Sequence, residues 1–167
     1  EVMEGNKSDY KSAKSIEVGN IFPLGTFYSE KMGFYFTDQD GSKKPVWFGS
    51  YGIGSTRVMG TLVEVNHDEK GIIWPKNVAP FDVHLLSLKD DNHAVDIYKK
   101  LKESNIDVLF DDRDINAGQK FVDHDLIGIP IRLVVSPKNN GKIEWKDRNS
   151  DKLELYSEDE ILEKLVV

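Results

Sequence analysis

Cysteine is absent from this 167-residue chain, which excludes disulfides and thiolate chemistry, so the compartment has to be inferred from function. Histidine is scarce, and His67, His84, His93 and His124 lie far apart without the helical spacing of a metal-ligand pair, so no metal site is expected. Long hydrophobic runs are missing too: none approaches the roughly 20 residues that cross a bilayer, and no membrane partner is expected. Nothing near Glu1 resembles a signal sequence, and a start on Glu suggests a cut piece of a longer protein or the loss of a first Met. Positive charge is in the minority. With 22 Lys and Arg against 29 Asp and Glu, the net charge of −7 argues against a general polyanion binder but leaves room for a local basic cluster that meets RNA. What is plentiful is ordinary globular material, 39% hydrophobic and 31% charged, enough for one large domain or two small ones with a core.

Residues 1–15 are polar and rich in Lys and Ser, and read as a linker or the end of an upstream insertion. Ile16 to Phe22 alternates loosely and predicts a strand that Pro23-Leu24-Gly25-Thr26 breaks. Gly33–Thr37 and Lys44–Phe48 predict an antiparallel hairpin around the turn Asp38–Ser42. A helix-like segment follows over Val58–Glu64. Pro75 and Pro80 mark a boundary, with one domain over 16–75 and another over 76–167. Beyond it the pattern alternates: strand 83–88, helix 94–101, strand 106–110, helix 117–126, strand 129–135, then strands 142–145 and 153–155 and a closing helix 158–165 capped by Ser157. The fold class expected is α/β, α+β overall. An antiparallel-sheet portion precedes a compact domain with a mixed five-stranded sheet.

The stretch Gly49–Arg57 concentrates three glycines between an apolar run and that helix. They predict a sharp bend that something can approach closely, with Ser55 as N-cap and Arg57 in the first turn, placed to stack on a flat ring or pair with a phosphate. A nucleotide site fits this pattern. A dinucleotide fingerprint does not, because Arg57 stands where the third glycine belongs, and no Gly-Lys-Ser/Thr follows for a phosphate loop.

Gly52-Ile53-Gly54-Ser55-Thr56-Arg57 resembles motif 3 of class II aminoacyl-tRNA synthetases. Glu17-Val18-Gly19-Asn20-Ile21-Phe22-Pro23-Leu24-Gly25-Thr26 and Asn66-His67-Asp68-Glu69-Lys70-Gly71-Ile72-Ile73-Trp74-Pro75 sharpen the resemblance to the bacterial-type prolyl-tRNA synthetases. Asp111-Asp112-Arg113, Gly118-Gln119-Lys120-Phe121 and Asp125-Leu126-Ile127-Gly128-Ile129-Pro130 resemble the anticodon-binding domain of that family. The resemblance runs from about residue 16 to the end and implies the C-terminal part of such an enzyme.

It also implies roles. Arg57, Glu17, Asn20 and Gly54 would face ATP; Phe22, Ser50 and Gly52 would line the proline pocket; Arg113, Lys120 and Phe121 would form the surface that meets the tRNA anticodon. ATP and magnesium enter as substrate and counter-ion, with no tightly bound cofactor; the partners are proline and proline tRNA, the parent enzyme a homodimer, and the location the cytoplasm, with an organelle matrix left open. Motifs 1 and 2 match nothing here, so this chain is expected not to aminoacylate by itself, and no residue is assigned as catalytic. Plainer readings stay open. Phe22 and Phe121 fit a core, Ser50 a turn, and Asp111 and Asp112 partners for Arg113. His67 suits a helix C-terminus better than general-base work with Asp68. A non-catalytic RNA-binding module carrying a synthetase remnant is the alternative, and a nucleotide-binding regulator a third.

Overall fold

The computed structural model describes Lys11 and residues 13–166, so most of the linker expected over 1–15 lies outside the described residues. The chain divides into two compact units, 1–61 and 62–167.

In the first unit, strand β1 (Gly19–Gly25) pairs antiparallel with β4 (Phe48–Ile53). A short helix α1 (Phe27–Met32) follows β1, and β2 (Tyr35–Thr37) and β3 (Lys43–Pro45) form the hairpin expected around Asp38–Ser42. Helix α2 (Ser55–Val65) leaves β4, and the division between the units falls within it. Three expectations are corrected here. Pro23 and Leu24 do not end the first strand, because the pairing passes through them with only a register shift between Pro23 and Gly25. The glycine stretch is not a bend but strand β4, since none of Gly49, Gly52 and Gly54 has positive φ. Ser55 is already helical: the first helical bond runs from Val58 N to Gly54 O, which makes Gly54 the cap. Large apolar side chains remain exposed along this unit, among them Ile21 (67%), Trp47 (77%), Tyr51 (80%) and Ile53 (78%).

The second unit holds the core. After a small hairpin of β5 (His67–Asp68) and β6 (Gly71–Ile72), the chain runs β7 (Val83–Ser87), α3 (Asp91–Glu103), β8 (Val108–Asp111), α4 (Ala117–Ile127), β9 (Ile131–Val135), β10 (Ile143–Asp147), β11 (Glu154–Tyr156) and α5 (Glu158–Leu165). The five-stranded sheet has the order β11-β10-β9-β7-β8. Its pairs β7–β8 and β7–β9 are parallel, and β9–β10 and β10–β11 are antiparallel, so the mixed sheet is as expected. Strands β7 and β9 are buried throughout, as central strands covered on both faces must be.

One face is apolar: Val83, Leu85, Ile131, Leu133, Val135, Ile143 and Trp145 pack with Ala94, Ile97 and Leu101 of α3 and Ile161 of α5. The spacing of Ala94, Ile97 and Leu101 puts them on one helical stripe. Ser157 closes α5 with a capping box to Glu160, as its sequence predicts. Asn116 caps α4 by accepting from Gln119 N at 2.8 Å. Gly128 ends α4 in the left-handed conformation at φ 82°.

Candidate functional site

In the first unit the register of β1 on β4 sets the expected site residues across from one another. Asn20 lies opposite Gly52 and Phe22 opposite Ser50. Gly52 lies beside the Phe22 ring: a Cβ there would sit 3.8 Å from Phe22 Cε2, an ordinary contact. Phe22 is 44% exposed, so the core reading open in the sequence does not apply to it within this chain. From the first turn of α2, Arg57 reaches back forty residues. Its Nη1 donates to Glu17 O at 2.9 Å and lies 3.7 Å from Glu17 Oε1. Nε and Nη2 have no partner among the described residues, so the guanidinium is anchored at one corner and open on the rest of its fork. Gly54 matters by closeness, because a Cβ there would lie 3.3 Å from Arg57 Cβ.

In the second unit a crevice of about 770 Å³ opens beyond the carboxyl ends of β7, β8 and β9, bordered by Asp112, Arg113, Asn116, Ser136 and Lys138. This is where open α/β sheets bind ligands. Arg113 stands in it, half exposed. Its Nε and Nη2 chelate Asp111 at 3.0 and 2.7 Å, and Nη2 also donates to Asp123 at 2.7 Å. The Arg113 bonds hold the Asp111 carboxyl below the usual carboxylate range, and both carboxylates push the Arg113 guanidinium up. Nη1 keeps two donors without a partner among the described residues.

Lys120, expected on an exposed RNA surface, is only 2% exposed. Its ammonium donates to Ser87 O at 2.8 Å and Asp111 O at 3.0 Å. Phe121 is half-buried, with the Arg132 guanidinium over its ring at 4.4 Å, so its open face is taken by a cation of the same unit. Of the three expected anticodon residues, only Arg113 offers free donors to the crevice.

Beneath α4 the sheet is polar. His84 on β7 and His124 on α4 are buried with their Nδ1 atoms 3.2 Å apart, and Arg132 pairs with Glu144 at 3.0 Å. Burial pushes His84 down to about 4; burial and the neighbouring His84 push His124 down to about 3. These residues escaped the sequence reading. The signals were there, since Arg132 interrupts an apolar strand, and Lys120, Asp123 and His124 share one helical face.

The far end of α4 is clamped. Arg148 chelates Asp68 at 2.8 and 2.6 Å and donates through Nε to Asp125 O. Its bonds hold the Asp68 carboxyl well below the usual range. Asp68 is thus occupied by structure, not by proton transfer, and His67 Nδ1 lies 3.2 Å from Val63 O at the end of α2, in keeping with the helix-terminus reading. Gly71 and Gly128 let the β5–β6 hairpin and α4 meet backbone to backbone, because a Cβ on Gly128 would fall 2.1 Å from Ile72 O.

The chain resembles known proteins over most of its length. It is 52% identical over 161 residues to the proline–tRNA ligase of Persephonella marina, covering 93% of this chain and 29% of that protein. Similar values hold for the proline–tRNA ligase of a Sulfurihydrogenibium species, 51% over 162 residues, with 93% and 29% covered. For that of Agrobacterium fabrum the identity is 48% over 150 residues, with 86% and 34% covered. The chain therefore spans about three-tenths of the length of the curated relatives it matches. No helix among the described residues is long and apolar enough to cross a membrane. Residues 78–167, which hold the five-stranded sheet, its crevice and the polar layer under α4, match the family model described as the anticodon binding domain, and the chain belongs to that family.

Proposed function

We propose that this chain is part of a proline–tRNA ligase, with a catalytic-domain portion over 16–75 and an anticodon-binding domain over 76–167. Identity of 43–52% to proline–tRNA ligases over nearly the whole chain supports the reading. The observation that carries it is the β1–β4 register with Arg57 held against Glu17, because the strand pair and the contact at its end then gather every residue expected to face ATP or proline.

In the reaction proposed for the parent enzyme, a proline carboxylate oxygen attacks the α-phosphorus of ATP and pyrophosphate leaves. The prolyl group then passes to a 3′-terminal hydroxyl of the tRNA, releasing AMP. Neither step needs a covalent enzyme group; positioning and charge neutralisation lower the barrier. Arg57 offers its free fork edge to phosphate and its plane to adenine, a pairing that suits guanidinium and not ammonium. Glu17, Asn20 and Gly54 border the same space. Phe22, Ser50 and Gly52 offer a ring face and close backbone to the proline ring. Magnesium would travel on the nucleotide's phosphate oxygens, which suit a hard cation. The facing wall of the site, the homodimer and the cytoplasmic setting belong to the parent enzyme.

Two measurements test this. ATP–pyrophosphate exchange with proline should be absent for these 167 residues alone and present in a longer enzyme that contains them. Robust exchange by the chain alone overturns the partial-site reading. Filter binding should favour proline tRNA over an anticodon-swapped tRNA. The rival reading, a non-catalytic RNA-binding module, draws support from a core cluster confined to 83–161 among the described residues. It predicts the same tRNA preference, with Arg57→Ala silent in any longer protein containing this chain.

A further inference from the structure

The Lys120 ammonium makes two hydrogen bonds and one ion pair. The hydrogen bonds go to Ser87 O and Asp111 O, the last carbonyls of the adjacent parallel strands β7 and β8. The ion pair is with Asp111 Oδ1 at 3.7 Å. Asp111, itself 5% exposed, then fixes Arg113 three ways: Oδ1 accepts from the Arg113 backbone N and from Nε, and Oδ2 accepts from Nη2. Asp123, one helical turn beyond Lys120, takes the remaining Nη2 donor.

We infer that Lys120 is a positioning residue: it pins the carboxyl ends of two strands and the Asp111 carboxylate, and through Asp111 it freezes Arg113 with both Nη1 donors aimed at the crevice. This rests on the anticodon reading of that crevice. Formal charges of the cluster cancel, −2 from Asp111 and Asp123 against +2 from Lys120 and Arg113, so general phosphate attraction is weak there. Around it the crevice sets Lys89 and Lys138 against Asp91, Asp112 and Asp114, so the balance is not positive, and a frozen pair of donors there selects by geometry, which suits a neutral acceptor on a base edge. Lys120 therefore contributes to discrimination between bases without touching RNA.

The test uses the full chain, the anticodon stem–loop of a proline tRNA, and loops with one anticodon base replaced at a time, each across a salt series. Lys120→Met keeps the apolar stem and removes the ammonium. Discrimination between cognate and replaced loops should fall about tenfold or more, while the slope of log K against log salt stays that of the unaltered protein. A uniform loss of affinity for every loop, with the slope reduced by about one, is what a direct phosphate contact gives, and it overturns the inference.

A second arm needs no RNA. In the free protein the Lys120 ammonium should give a slowly exchanging proton–nitrogen resonance, and Lys120→Met should speed Arg113 Nε–H exchange about tenfold, the loss expected for one charge-assisted contact. Unchanged Arg113 exchange, or a Lys120 ammonium exchanging as fast as that of exposed Lys99, overturns the inference. If Lys120→Met does not fold, the resonance of the unaltered ammonium decides. Should the unaltered protein bind all loops alike, the anticodon reading fails separately, and this arm still decides the role of Lys120.

Discussion

Acid should loosen the second unit well before its carboxylates protonate, because His84 and His124 are buried neutral against each other. Two Nδ1 atoms 3.2 Å apart can bond only if one carries a proton and the other does not. A further proton would set two N–H donors face to face, with Arg132 nearby. The folded values are about 4 for His84 and about 3 for His124, against 6.5 in the unfolded chain. Between those limits the unfolded state binds more protons, so stability is full above pH 6.5 and declines as pH falls toward 4.

At pH 5 both histidines are still neutral when folded. Each contributes about 2 kcal/mol of lost stability relative to pH 8, and the two together about 4. The carboxylates add little above pH 5, since Glu154, Glu158 and Glu160 are held below their ordinary value of 4.5 and lose their contribution as pH falls below it. Asp68 and Asp111 are held below their ordinary value of 3.8, so their contribution is present above that pH and lost only further into acid. Amide exchange at Leu85 and Leu133, buried at the sheet centre, reads the effect. After correction for intrinsic rates, protection should fall about a thousandfold between pH 8 and pH 5. The double variant His84→Leu/His124→Leu removes both titrating groups together and should flatten the profile over that range. A fall of less than tenfold in the unaltered protein, or the same fall in the double variant, refutes the reasoning.

Gly128→Ala and Gly128→Asn should both cost at least about 2 kcal/mol in urea unfolding. Asn tolerates the left-handed φ, but its Cβ meets Ile72 O as surely as that of Ala. A tolerated Asn would show that close approach is not what requires glycine. Arg148→Met should raise amide exchange at Gly71 and Ile73 about ten- to hundredfold, the worth of a charge-assisted contact, with Leu85 little changed. Equal acceleration at all three sites would mean that Arg148 holds the whole unit and not the hairpin. In a longer enzyme containing this chain, Arg57→Lys should lower kcat/KM for ATP in pyrophosphate exchange about a hundredfold; a loss under threefold would remove Arg57 from the nucleotide's contacts.

The α/β unit was legible because its signals are local. Apolar stripes such as Ala94, Ile97 and Leu101, the cap at Ser157 and the alternation of periods each declare themselves within a dozen residues. The glycine stretch misled, since glycines in extended strand backbone look in sequence like glycines that turn the chain. Lys120 misled for a different reason. A lysine on a short helix beside acidic residues reads as exposed, and only the arrival of Ser87 from another strand supplies the acceptors that make its burial tolerable. The Asp68–Arg148 chelate spans eighty residues and leaves no local trace.

The β1–β4 ribbon has a consequence for anyone who handles this chain. Among the described residues it is a two-stranded sheet with both outer edges unpaired, and such ribbons are marginal in water. Open edges carrying Ile21, Tyr51 and Ile53 side chains are templates for further strands, whether supplied by the same polypeptide or by a second copy. The amides of Ile21 and Tyr51 should therefore exchange faster than those of the buried strands β7 and β9, and should slow when a further strand, from whatever source, pairs with the ribbon's edges.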